Sequence, residues 1–394
     1  MVTTLGEISR ESAKRFGDKT ALIIEDKSFS YKEIDAMACR VANGLKASGV
    51  RPGDRVTLYS ANCWEWAVSY HAIAKIGAVI NPINVMLTSD EVKYVVEDSG
   101  TTAVLGSADK AESLLDLKGN NELKEVVLFG DTVPTGATSF EEWLKSGTDT
   151  FEVAHRNRED LAAICYTSGT TGHPKGAMHS HHNILANAQG TAMMHVRTES
   201  DVMVNSLPLP HVYGSVVFNS GFMYGAKLVI VPRFEEEAVM SAIQQHRATI
   251  LDGVPTAYYF LLAHPKFDDY DLSTLTRSTV GGQTLPAAKS IEWEERVALG
   301  VVTASAGYPE SASKGDVING LDFDFPSDVK IFHAGTTKEN GKIVTAGGRV
   351  LCITSLGKTV TDAKKSTYDA IKNIDYDGMF YRNDIGDRAI KRES

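Results

Sequence analysis

Residues 166–176 read Tyr166-Thr167-Ser168-Gly169-Thr170-Thr171-Gly172-His173-Pro174-Lys175-Gly176, and the rest of the chain is arranged around them. The hydrophobic run Leu161–Cys165 predicts a buried strand that delivers the backbone into this stretch. The residues beyond that strand are small, hydroxylated or turn-forming, and they close on a lysine. Glycine lets a backbone approach a ligand closely and adopt positive φ. Hydroxyls and unpaired N–H groups then ring an anion, and lysine adds a point charge toward phosphate oxygens. The chemistry predicted is a triphosphate cradle. It is not the Walker arrangement: Gly176 rather than Ser or Thr follows Lys175, and Pro174 stands where that loop needs glycine. An ordinary polar loop has no reason to end such a density of Ser, Thr and Gly on Pro-Lys-Gly.

Composition narrows the field. A chain of 394 residues has room for two or three domains at roughly 100–200 residues each. Hydrophobic content of 43% and charged content of 23% are those of an ordinary globular protein. The net charge of −10 argues against a general nucleic-acid binder, which needs a basic face. Cys39, Cys63, Cys165 and Cys352 are scattered, with no CxxC or CxxxH grouping. Neither structural zinc nor a disulfide framework is expected, which fits a reducing, cytoplasmic setting. The N-terminus carries no apolar signal region, and no apolar run is long enough to suggest a transmembrane segment.

Along the chain, strand and helix patterns alternate. Residues 1–20 predict an amphipathic helix, Ala21–Ile24 and Lys27–Ser30 a hairpin, and Tyr31–Ser48 a second helix. Arg55–Tyr59, Ala78–Asn81, Ala103–Leu105 and Glu125–Leu128 read as buried strands, and Thr88 with Glu91 as a capping box. His179, His181 and His182 lie past the loop without a local carboxylate or cysteine partner, so no metal site is assigned to them. Pro208-Leu209-Pro210-His211-Val212-Tyr213-Gly214 comes after a strand, its prolines fixing a backbone from which His211 and Tyr213 can face a cavity. Gly221–Tyr224, Ala226–Val231, a helix over Glu235–His246 and a strand over Thr249–Asp252 continue the α/β rhythm. Gly281-Gly282-Gln283 ends another strand, at the kind of turn where open α/β sheets bind ligands. The fold class is α/β, with largely parallel sheets flanked by helices and a small α+β segment after them.

With the loop, the Leu207–Gly214 segment and the Gly281–Pro286 turn in this order, residues 1–290 resemble the adenylate-forming superfamily of acyl- and aryl-CoA synthetases. The resemblance implies an ATP- and Mg²⁺-dependent ligase. A carboxylic acid would attack the ATP α-phosphate, and a thiol such as coenzyme A would then displace AMP from the acyl-adenylate. Thr167, Ser168, Gly169, Thr170, Thr171, Gly172 and Lys175 would cradle the phosphates. His211, with Tyr213, would form the acyl-pocket wall near the thiol entrance, and Gly281, Gly282 and Gln283 would flank adenine and acyl group. Fatty or aryl acids are the implied substrates.

After Ser290 the pattern changes. The family's metal-binding glutamate, ribose-binding aspartate and lysine-bearing C-terminal domain are not recognisable there, which predicts impaired catalysis. Instead Ala298–Ala304, Lys330–His333 and Arg349–Thr354 read as strands, Asn340-Gly341 as a hairpin turn, and Thr359 as the cap of a helix. Residues 291–394 resemble the C-terminal part of glycinamide ribonucleotide synthetase. The strings at Gly307-Tyr308-Pro309, Lys314-Gly315-Asp316 and His333-Ala334-Gly335-Thr336 carry the likeness, with Asp387 where that family has tryptophan. The chain therefore reads as a fusion or chimera of two ligase parts. Besides the adenylate-forming reading, two others stay open: a nucleotide-binding but catalytically incomplete fusion, and the glycine ligase of purine biosynthesis.

Overall fold

The computed structural model of the chain describes residues 2–118, 123–130, 132–167, 174–282, 296–308 and 311–393. Helix α1 (Ile8–Phe16) stops at Gly17, whose φ of 53° breaks the helical path, so it is shorter than the predicted 1–20. Strands β1 (Thr20–Ile24) and β2 (Lys27–Ser30) form the expected hairpin. Helix α2 (Tyr31–Ala47) opens on a Ser30–Glu33 capping box and buries Ile34, Ala38, Val41, Ala42 and Leu45, a stripe at three- and four-residue spacing. After β3 (Arg55–Tyr59), α3 (Trp64–Lys75) is buried nearly all round, the signature of a core helix.

The chain continues through β4 (Val79–Pro82), α4 (Ser89–Ser99, with the Thr88–Glu91 capping box), β5 (Thr101–Ser107) and the short α5 (Ala111–Leu115). Next come β6 (Glu125–Phe129), β7 (Thr138–Ser139), α6 (Phe140–Ser146), β8 (Leu161–Thr167), β9 (Lys175–Ser180) and α7 (His181–Met194). After these are β10 (Val202–Asn205), α8 (Val212–Tyr224), β11 (Lys227–Ile230), α9 (Glu236–His246), β12 (Ile250–Gly253), α10 (Pro255–Ala263) and β13 (Arg277–Val280). One sheet runs β7-β6-β5-β3-β4-β8-β9 and the other β13-β12-β10-β11-β1-β2. Both are parallel except at their β8–β9 and β1–β2 hairpins. Residues of α2, α3 and α8 share one core with both sheets.

The chain divides into two compact units, Met1–Ala288 and Lys289–Ser394. In the second, β14 (Val297–Ala304), β15 (Val329–His333), the hairpin β16 (Thr336–Glu339) and β17 (Lys342–Thr345), and β18 (Arg349–Gly357) precede α11 (Val360–Ile371), β19 (Phe380–Tyr381) and α12 (Asp387–Glu393). Asn340 and Gly341 both take positive φ, as a two-residue hairpin turn requires. Thr359 accepts from the Asp362 N–H at 3.1 Å, and α11 buries Ala363, Thr367, Ala370 and Ile371. The antiparallel sheet runs β15-β18-β14-β19.

One expectation is corrected. Lys175 and Gly176 do not merely close a loop: they begin β9, paired antiparallel with β8. Lys and Gly have low strand propensity, which hid this strand in the sequence. Gly221–Tyr224 is the last turn of α8. That helix buries Val216, Val217, Phe218, Phe222 and Met223 on several faces, so its sequence shows no helical period.

Candidate active site

The signature stretch is held by the β8–β9 hairpin. Ala162, Ala163 and Ile164 are buried on β8, and Thr167 stands opposite Lys175 at the end of the ladder. Both are exposed there. Ser168, Gly169, Thr170, Thr171 and Gly172 lie outside the described residues. Gly176 is required on β9, since a Cβ would meet Ile164 Cγ2 at 2.7 Å. The Tyr166 hydroxyl donates to Asp98 at 2.5 Å. Burial, then that carboxylate, pushes the Tyr166 hydroxyl pKa well above its ordinary value.

The segment after β10 is fixed by two asparagines. Asn205 accepts from the Leu207 N–H at 3.1 Å. Buried Asn62, just ahead of α3, accepts from the Leu209 N–H at 2.8 Å and donates to the Leu207 carbonyl at 3.0 Å. No local sequence pattern marks Asn62 for this role, since its partners lie some 145 residues away. Gly214 lies so near the Pro208 carbonyl that a Cβ would approach it to 2.1 Å. His211 is exposed at the N-cap of α8, its Nδ1 accepting from the Tyr213 N–H at 3.1 Å. Tyr213, in the first turn of α8, turns instead toward β13. Its hydroxyl lies 3.0 Å from Thr279 Oγ1, and its ring lies so near Gly281 that a Cβ there would come within 2.7 Å of Cε1. Gly282 is next at φ 85°, and Gln283 lies outside the described residues.

Behind Tyr213 is a charge pair that the sequence pattern did not reveal. Arg197 Nη2 lies 2.5 Å from Asp252 Oδ1, with both side chains fully buried. The Thr279 hydroxyl donates to the same oxygen, and Arg197 Nη1 donates to Ser220 Oγ. Desolvation pushes the Asp252 carboxyl upward, while the Arg197 guanidinium and the Thr279 hydroxyl oppose it.

A cavity of about 610 Å³ opens just past the C-terminal ends of β3, β4, β10, β11 and β12, the edge at which parallel α/β sheets bind ligands. Leu207, Pro208, Pro210, Val254, Ala257 and Phe260 give it an apolar wall. Exposed Arg233 lines it and also an adjoining groove that contains Lys110. The histidines past the loop have local partners. Buried His181 Nδ1 accepts from the Leu5 N–H at 3.1 Å, His182 Nδ1 accepts from Arg158 Nε at 3.0 Å, and His179 borders a small cavity between α7 and α8.

Two largely parallel sheets, the β8–β9 hairpin and the turns that follow β10 and β13 make up the frame of the N-terminal domain of adenylate-forming enzymes. The chain belongs to the AMP-binding enzyme family, whose model matches residues 9–308. The phosphoribosylglycinamide synthetase C domain matches residues 298–388. The chain is 27% identical to the putative acyl-CoA synthetase YngI of Bacillus subtilis, over 97% of this chain and 76% of that protein. It is 30% identical to the long-chain-fatty-acid–CoA ligase FadD13 of Mycobacterium tuberculosis, over 92% and 71% respectively. The N-terminal domain of FACL13 from M. tuberculosis superposes with a TM-score of 0.67 at 29% identity, covering 73% of this chain and 72% of that one. The chain spans 60% of the length of the long-chain-fatty-acid–CoA ligase of B. subtilis and 57% of that of the feruloyl-CoA synthase of Amycolatopsis sp.. These likenesses do not favour the reading as a glycine ligase of purine biosynthesis.

Proposed function

We propose that the chain activates a fatty or aryl carboxylic acid as its acyl-adenylate and passes the acyl group to a thiol such as coenzyme A. In the first step a carboxylate oxygen bonds to the ATP α-phosphorus and pyrophosphate leaves. In the second a thiolate sulfur bonds to the acyl carbon and AMP leaves. The observation that carries this reading is the rung between Thr167 and Lys175, which puts the two residues opposite each other at the end of the β8–β9 ladder, where directly paired side chains share a face. Negative charge grows on the departing pyrophosphate, and fixed donors aimed at it lower the barrier. Mg²⁺ bound with ATP would add to that neutralisation; none of the described residues is assigned to hold it.

Tyr213, Gly281 and Gly282 form the wall beside the acid and the adenine. The cavity past the strand ends takes the uncharged arm of the thiol, with Arg233 at its rim for a phosphate-bearing end. This division of the site rests on the apolar lining and on the place of Pro210, adjacent to His211. The functional division accords with the sequence: residues 1–290 form the adenylating region and 291–394 the appended segment. Residues 298–388 match another family, and the aspartate and lysine contributors that the adenylate-forming resemblance implies are not recognisable in the sequence after Ser290. Turnover is accordingly slow. Four free cysteines and the lack, among the described residues, of a helix able to cross a membrane support a cytoplasmic setting.

The test is ATP–pyrophosphate exchange with a panel of fatty and aryl acids. Exchange with at least one acid, reduced at least about tenfold by Lys175→Ala through loss of a charge-assisted contact, supports the reading. ATP binding without exchange for any acid would leave a nucleotide-binding, catalytically incomplete fusion, the reading that the 298–388 match favours as second choice.

A further inference from the structure

The acid-activating reading leaves a buried charge pair without a task. Arg197 lies just after α7 and Asp252 lies on β12. Asp252 Oδ2 and Arg197 Nε have no hydrogen-bond partner among the described residues, a cost that an apolar pair of the same volume would avoid. The pair does have a direction. The guanidinium keeps its proton under all ordinary conditions, and a carboxylate beside it only accepts hydrogen bonds. The Thr279 hydroxyl therefore spends its proton on Asp252 and offers its lone pairs to Tyr213, 3.0 Å away. Tyr258 braces the same residue from the other side, donating to the Thr279 carbonyl at 2.7 Å.

We infer that Arg197, Asp252 and Thr279 form a positioning relay that orients the Tyr213 hydroxyl and holds its ring against the Gly281 backbone, setting the room left for the acid beside β13. This rests on the function proposed above. None of the three relay residues is a catalytic group; they act through Tyr213.

The experiment is a double-mutant cycle on Thr279→Val and Tyr213→Phe, read as separate Michaelis constants for acid and ATP in pyrophosphate exchange, with dodecanoate and benzoate as probes. Each single change should raise the acid KM about three- to tenfold, the size of one lost hydrogen bond, and leave the ATP KM unchanged. The double variant should be no worse than the worse single, and Thr279→Ser should restore the parent value. Thr279→Ala serves in the cycle if Thr279→Val fails to fold. Multiplying effects, or equal shifts in both constants, overturn the relay while leaving the proposed function standing. If the parent chain exchanges with no acid, that function fails, and the cycle is read instead by calorimetric binding of dodecanoyl- and benzoyl-sulfamoyl adenosine. Absence of that binding as well overturns the relay too.

Discussion

Arg197 and Asp252 meet at 2.5 Å, and neither side chain has any exposed surface. Removing one member leaves the other charged and buried. Asp252→Ala should therefore destabilise the chain by about 3–5 kcal/mol. Replacing both, as Arg197→Met with Asp252→Leu, should cost clearly less than Asp252→Ala alone, because no uncompensated charge remains. Urea unfolding of the three variants decides this. A double variant at least as unstable as the single one would show that the pair is needed for more than neutralising itself.

His71 sits in the middle of α3 with its ring centroid 5.2 Å from that of Phe218 and 4.7 Å from that of Phe222. Neither ring nitrogen has a hydrogen-bond partner among the described residues. Burial first, and the nearby Lys75 charge second, depress its pKa from 6.5 to about 3. The folded chain then binds fewer protons than the unfolded chain between those values, so stability falls as pH drops from 6.5 toward about 3. One such histidine contributes a slope of about 1.4 kcal/mol per pH unit across that range. His71→Phe keeps the aromatic packing and removes the titration, so the pH dependence of unfolding should flatten by about one proton. An unchanged slope would rule out His71 as its source.

Much of this architecture was legible because local signals agreed with it. The Thr88–Glu91 capping box, the Asn340-Gly341 turn and the Thr359 cap each act within four residues and appear as read. The signature stretch was legible as the mark of its family, but its frame was not: Lys175 and Gly176 are poor strand formers, and only their pairing with Thr167 and Tyr166 makes them one. Asn62, Arg197 and Asp252 were missed for another reason. Their roles arise from partners 23–147 residues distant on other elements, whereas sequence patterns report neighbours along one element. A charged residue seen alone in sequence also reads as surface; here Arg197 is a core residue.

Ala257 and Phe260 lie on one face of α10, on the wall of the 610 Å³ cavity. Ala257→Trp fills that space without touching the hairpin or Tyr213. If the cavity takes the thiol's arm, acyl-thioester formation should fall at least about tenfold while pyrophosphate exchange stays within about twofold, since a bulky side chain in a fitted pocket excludes ligand sterically. Rapid-quench measurement of the two half-reactions separates them. Loss of exchange instead would place the acid in this cavity.

In the second unit, α11 covers one face of the sheet, and the other carries apolar side chains. Val302 and Phe332 flank Cys352 in register from the strands on either side of β18, and they are 43% and 46% exposed. Phe380, on β19 next to β14, is also large and exposed, at 45%. Soluble monomers rarely leave such groups clustered. The chain should therefore enhance the fluorescence of a hydrophobic dye at concentrations where it is fully folded. The change Val302→Thr with Phe332→Thr should cut that signal by about half or more while shifting stability by under about 1 kcal/mol, because exposed positions contribute little packing. A signal indifferent to both substitutions would place the dye elsewhere; a chain that binds no dye would show the face to be covered in solution.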